Sequence, residues 1–239
     1  MNRRILITND DGIESDGIRR LAEAAKEFGE VWVVAPESQR SAASHSITLR
    51  HPIDVHPYNF SVEGVHAFSC TGTPGDCVRV GSLSIMPQKP DVVFSGINFG
   101  YNVASDIQYS ATAGAAFEGE FQGYLSIAFS EGMNGCHEVT DRYLKEIIAE
   151  LIDTTYTPGQ ILNVNFPQCK LEECNGILRD RKVSRKAFFT DSYRAVEEFA
   201  NGGVSLMVDG KYIPQTEEGT DYGAVMDNYV SIGVVRNIS

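Results

Sequence analysis

Asp10 and Asp11 stand side by side just after the apolar run Ile5, Leu6, Ile7, with Gly12 behind them to turn the chain. Two adjacent carboxylates repel and are costly to desolvate, so such a pair in a crevice needs a cation, a shared proton or open water. A divalent metal meets that need most simply. An isolated Asp-Asp pair is more often a solvated, helix-capping turn, and what tips the balance here is the company it keeps. A second apolar run, DVVFSGIN, ends in Ser95, Gly96 and Asn98. Asn98 offers a neutral amide oxygen to a hard cation, while Gly96 and Gly100 let backbone approach a ligand closely. The polar loop ESQRSAASHS (residues 37–46) is too poor in apolar groups to be core, and its Ser41 can complete an oxygen-rich site without adding charge. Arg40 and His45 flank that serine and read as solvated or structural. In YSATAGAAFEG, Ser110 and Thr112 can cap a helix whose first amides would face a phosphate.

The elements that must position these groups follow from periodicity. Ile5–Ile7 has no polar face, as expected for a parallel strand covered on both sides, and ligands of open α/β sheets bind outside the carboxyl ends of such strands. Ser15 or Asp16 caps a helix with Ile18, Leu21, Ala22, Ala25 and Phe28 on one face and Gly29 at its end. EVWVVAPE is the next strand, so the first 36 residues form a βαβ unit. Residues 47–70 alternate and are broken by Pro52, Pro57 and Gly64, predicting an inserted strand pair. His51, His56 and His66 lie there at spacings that match no metal signature and are assigned no role. Pro74 starts a helix through CVRVGSLSI, LSIAFS is a strand, residues 138–153 form an amphipathic helix, and LNVNFP is a last core strand. The alternation predicts an α/β fold over residues 1–167, one doubly wound, mostly parallel sheet between two helix layers. Beyond it, GILRDRKVSRKAF, GGVSLMV and NYVSIGVV predict a β-rich C-terminal extension over 168–239, of the kind that builds oligomers. Asp221, in EEGTDYG, is expected in an exposed turn.

Composition bounds the function. The 239 residues are 42% hydrophobic, enough for a substantial core, and carry a formal charge of −12 with no basic patch, which opposes binding to long nucleic acid. Five cysteines without a CxxC pair or a secretory leader predict reduced thiols and a cytoplasmic location, and no run approaches a membrane span. Neither a P-loop nor a GxGxxG fingerprint is present.

Taken in order, ILITNDDGIESDGI, APESQRSAASHSIT, TGTPGDCV, SGINFGYN, YSATAGAAFEG, LNVNFP and TDYGAVMDNYVSI resemble the SurE family of stationary-phase survival proteins, which act as nucleotidases. The resemblance covers nearly the whole chain, and NDDG, RSAASHSIT and SGIN are its most specific parts. It implies a Rossmann-like domain with an extension exchanged between subunits in a homodimer or homotetramer. It also implies a phosphatase using one divalent ion, Mg²⁺ or Mn²⁺, on nucleoside 5′-monophosphates, with 3′-monophosphates and short polyphosphate as further candidates. Carried over by position, the metal ligands are Asp10, Asp11, Ser41 and Asn98, the catalytic groups Asp10 and Asp11, and the substrate-binding residues Asn98, Gly100, Ser110 and Thr112. The ion would polarise the phosphate and activate a water for in-line attack. The sequence departs from the family at Tyr109, Ser110, Ala111 and Thr112, where His or Tyr followed by Ser-Gly-Thr is frequent, and at the ending VSIGVVRNIS in place of VSITPL. Two readings without turnover stand beside this one: a receiver-like signalling module, which lacks its phosphoacceptor aspartate here, and a metal-stabilised oligomeric interaction protein.

Overall fold

The computed structural model describes residues 3–237. The sheet is built on β1 (Arg4–Thr8), whose parallel neighbours are β2 (Glu30–Pro36) and β5 (Val92–Phe99). Beyond β2 lie β4 (His66–Cys70), parallel, and β3 (Val55–Pro57), antiparallel at the edge. Beyond β5 lie β6 (Leu125–Glu131) and β7 (Gln160–Phe166), both parallel, then β11 (Val230–Arg236), antiparallel to β7, and β8 (Ile177–Arg181). The nine strands run β3-β4-β2-β1-β5-β6-β7-β11-β8. The order reverses direction at β1, so the crevice between β1 and β5 is the switch point at which such sheets take ligands.

Both faces are covered, which is why the strands read as unbroken apolar runs. Ile5 and Ile7 pack with α1 (Asp16–Ala25) and α4 (Glu138–Leu151) on one face. Leu6 points the other way, to α2 (Pro74–Val80) and α3 (Ala111–Phe121). The helix expected through CVRVGSLSI is α2 continued by a π-helical turn over Gly81–Ile85. Thr73 caps α2 in a reciprocal box, taking a hydrogen bond from Asp76 N while the Asp76 carboxylate accepts from Thr73 N.

Three elements differ from the sequence reading. The strand pair expected in 47–70 forms, β3 running antiparallel to β4, but β4, with Ser69 and Cys70 buried, is also the parallel neighbour of β2 within the core sheet. The segment 168–239 divides, and only β9 (Phe189–Glu198) and β10 (Val204–Tyr212) stand apart as a two-stranded antiparallel arm. β11 returns to the core sheet because Val230, Ile232 and Val235 supply it with buried apolar surface. Asp221 is not in an exposed turn; it is 3% exposed at the start of α5 (Asp221–Met226) and accepts from the backbone N–H groups of Ala104, Ser184 and Tyr222. The five cysteines are all unpaired.

Candidate active site

The site forms where β1, β2 and β5 end together. Asp10, the second residue after β1, is 4% exposed and receives a 2.6 Å hydrogen bond from the hydroxyl of Thr112 in the first turn of α3. Its backbone carbonyl accepts from Arg40 N at 2.7 Å, which docks the loop after β2 against the pair. Asp11 is half-buried; its Oδ2 accepts from Phe99 N at 2.9 Å and its Oδ1 from Gln39 Nε2 at 3.3 Å. These bonds span the ends of three strands, so neither carboxylate is free to turn away.

Asn98 reaches the same crevice through an irregularity in β5. The register between β5 and β6 shifts between Ser95 and Asn98, and such a bulge re-aims the side chains beyond it. Asn98 Nδ2 donates to the carbonyl of Gly100 at 2.8 Å, which fixes the amide and leaves its carbonyl oxygen as the electron-pair donor. Gly100 makes this possible with φ +142°, a value that side chains rarely tolerate. Its own N–H is committed to the carbonyl of Glu131, and that of Phe99 to Asp11. Gly100 therefore orients Asn98, and neither amide is available to a substrate phosphate.

Ser41 lies exposed in its loop, and no hydrogen bond or ion pair ties its side chain to the other three candidate ligands. Its position is set by its neighbours. Besides the Arg40 contact, Ser44 N and Oγ donate to the carbonyls of Tyr109 and Gln108, and His45 Nε2 lies 3.0 Å from Glu118 Oε2 on α3. At Gly114 the loop and helix touch so closely that a Cβ would lie 2.5 Å from the Ser44 carbonyl oxygen. The C-terminal end of the loop is held by Thr48 N, which donates to Asp76. Ser110 caps α3 by accepting from Ala113 N. The hydroxyl of Thr112 is fully buried and bonded to Asp10, so its side chain acts on the carboxylate. The amides of Ala111 and Thr112, at the first positions of an eleven-residue helix, precede any intrahelical acceptor.

Electrostatically the pair is uncompensated. Burial pushes the Asp10 carboxyl up to about 6, against the lowering effect of the Thr112 hydrogen bond and reinforced by Asp11. Asp11 is also raised, by burial first, with bonds from Phe99 and Gln39 opposing and the charge of Glu131 adding. Among the described residues no Lys, Arg or His forms an ion pair with either. Nor, among them, does any group of three His, Cys, Asp or Glu side chains gather to hold a metal. The candidate donors, two carboxylates with the Ser41 hydroxyl and the Asn98 amide oxygen, are all oxygen, the chemistry that a hard divalent cation prefers.

The sequence reading missed the supports. Asn102 is buried in a network: its N–H donates to Asn165 Oδ1, its amide to Ser130 Oγ, and its carbonyl accepts from Asn163 and Asn165. The signal was two asparagines at alternate positions of the apolar strand LNVNF. Glu131, 3% exposed, accepts from Arg20 and Thr140 and lies 2.9 Å from His137 Nδ1. Those partners are far apart in sequence and leave no local pattern.

Fold and site together define a Rossmann-like α/β protein with a buried acidic, oxygen-donor centre at its switch point. The family model described as "Survival protein SurE" matches residues 5–188. A protein of Clostridium botulinum named 5′-nucleotidase SurE is 39% identical over 236 residues, covering 95% of this chain and 90% of that one. One of the same name from Christiangramia forsetii is 36% identical over 249 residues, covering 99% and 93%. The crystal structure of the SurE protein from Aquifex aeolicus superposes with a TM-score of 0.82 at 34% identity, covering 99% of this chain and 94% of that one. The chain belongs to the SurE family.

Proposed function

We propose that the protein is a 5′-nucleotidase, a phosphoric monoester hydrolase that releases phosphate from nucleoside monophosphates with one bound divalent ion. The observation that carries this reading is the pair of carboxylates, Asp10 buried and Asp11 half-buried, without a basic partner and beside the N-terminus of α3. The relatives named 5′-nucleotidase support the activity. Asp10, Asp11, Ser41 and Asn98 would hold Mg²⁺ or Mn²⁺, which when bound offsets charge on the phosphoryl oxygens and makes water more acidic.

The chain's own residues supply the rest. The N-terminal dipole of α3, at Ser110, favours phosphate oxygens beside the carboxylate pair. Thr112 holds Asp10 by its 2.6 Å bond, and Phe99 N and Gln39 hold Asp11, so both anions are fixed before substrate arrives. The oxygen of water forms the new bond to phosphorus as the bond to the nucleoside oxygen breaks; one of the two carboxylates accepts the proton that water loses, and the departing nucleoside oxygen takes up a proton from solvent. Fixed anions at this point cost no reorganisation during the reaction.

We further infer that the β9–β10 arm joins copies of the chain into a homodimer or homotetramer, since Tyr193, Leu206, Val208 and Tyr212 leave half or more of their surface open to solvent. The substrates extend to 3′-monophosphates and short polyphosphate, whose terminal phosphates present the same oxygens. Among the described residues no helix is long and apolar enough to cross a membrane. Five unpaired thiols suit the reducing cytoplasm.

The deciding experiment measures phosphate release from a panel of nucleoside monophosphates by metal-stripped protein, before and after Mg²⁺ or Mn²⁺, with Asp10→Asn as control. Metal-dependent release that the variant lacks supports the reading. Full activity in folded Asp10→Asn at saturating metal, or metal binding without release from any substrate, would overturn it.

A further inference from the structure

Asp11 faces more than the cation donors. It also borders a cavity of about 310 Å³ whose walls include Gln39, Ile97, Phe99, Glu131 and His137. The N-terminal residues of α1, Ser15 to Gly17, close one side of it. Neither Asp10 nor Asn98 lines this space, so Asp11 and Gln39 form the boundary between it and the metal donors. It lies at the β1–β5 switch point, and its volume is at the lower end of the range for small-molecule pockets.

Phe99 is the notable wall. It follows Asn98 directly and its N–H is anchored to Asp11, yet the residue is 49% exposed. Successive residues of a strand point to opposite sides, so Asn98 can serve the cation donors while Phe99 lines the adjoining cavity. His137 is a second flat wall, held through Nδ1 beside Glu131 Oε1. Among the described residues no lysine or arginine lines the cavity. Of its carboxylates, Asp16 and Glu131 are already paired with Arg19 and Arg20, so the wall holds no cation for a second phosphate and suits a flat, neutral, π-bearing group.

We propose that this cavity is the nucleobase subsite of the enzyme, in which the base of the monophosphate stacks on Phe99 while its phosphate lies at the carboxylate pair. The proposal rests on the nucleotidase reading above and deepens it: Phe99 is a specificity-determining residue that separates nucleotides from sugar phosphates. Stacking on an aromatic ring accepts any base, because each has a π-face, so the subsite selects for a base without selecting strongly among bases.

The test is steady-state kinetics of the full chain with Mn²⁺ on AMP and on ribose 5-phosphate, which carries the same sugar and phosphate without a base. Loss of one base–aromatic stack corresponds to a roughly 5- to 150-fold weakening. Phe99→Ala is expected to raise KM for AMP and so to lower the preference for AMP over ribose 5-phosphate, read as the ratio of their kcat/KM values, by about that factor. Phe99→Trp is expected to restore a low KM for AMP. Because the backbone N–H to Asp11 survives both substitutions, parallel losses on the two substrates would mean that the ring is mere scaffolding and would overturn the subsite. An AMP KM within about twofold of wild type in Phe99→Ala would also overturn it, a change below the weakest expected stack. Wild-type protein inert on both compounds would instead sink the nucleotidase reading, and the subsite with it.

Discussion

Replacing Thr112 by Val removes one hydroxyl from the site and little else. That hydroxyl donates to Asp10 Oδ1 at 2.6 Å, with the two residues 0% and 4% exposed, so water cannot enter to replace it without opening the packing. A hydrogen bond to a buried charged acceptor contributes about 1.5–3 kcal/mol. At 1.36 kcal/mol per factor of ten, its loss corresponds to a roughly 10- to 150-fold weakening of whatever requires Asp10 ionised and aimed. This agrees with the 10- to 100-fold range typical of residues that orient a metal ligand. We therefore expect Thr112→Val to bind Mn²⁺ about 10- to 150-fold more weakly by calorimetric titration at pH 7.5, and to lose activity at subsaturating metal in proportion. Thr112→Ser, which keeps the hydroxyl, should stay within a few-fold of wild type. A folded Thr112→Val protein with wild-type Mn²⁺ affinity would refute the view that α3 holds Asp10 for the cation.

Gly114→Ala would place a Cβ 2.5 Å from the Ser44 carbonyl and 2.9 Å from His45 Cα, so the loop carrying Ser41 must move. The strain, about 1–3 kcal/mol, outweighs the gain in helix propensity, and both melting temperature and activity should fall; a more stable, fully active variant would contradict the close packing. Asp76 is buried, which would raise its carboxyl, but the hydrogen bonds from Thr48 and Thr73 outweigh burial and hold it below the ordinary value. A carboxyl lowered on folding stabilises above its unfolded pKa of about 3.9 and ceases to do so as pH falls through the folded value. Urea midpoints of wild type and Asp76→Asn should accordingly differ at pH 7, with the gap narrowing as pH falls below the unfolded pKa of about 3.9; a gap independent of pH would refute the linkage. Leu206→Lys on the exposed face of the arm should shift light-scattering mass toward the single chain, and an unchanged mass would remove this face from the interface.

The local parts of the site were legible early. An apolar run ending in Asp10 and Asp11, and a second ending in Asn98, announce strands buried on both faces with polar groups at their carboxyl ends. Period and breakers also predict α1, α3 and α4. The roles of Thr112 and Gly100 were not legible, because a hydroxyl 102 residues from its acceptor, or an N–H committed across a sheet, has no signature in the residues around it. The same holds for β11, whose NYVSIGVV reads equally well as an arm or a core strand, and for Asp221, whose burial depends on Ala104 and Ser184 packing over it.

By itself, then, the sequence determined which residue types stand at strand ends, since alternation and helical period are properties of neighbours along the chain. It determined the family as well, through the order of NDDG, RSAASHSIT and SGIN. Only the tertiary structure decided which of those groups meet, which amides are already committed, and that Phe99 lines a cavity beside Asp11. Those are facts of sheet order and register: a shift of one position along β5 exchanges the sides of Asn98 and Phe99, and the residues themselves are the same in either register.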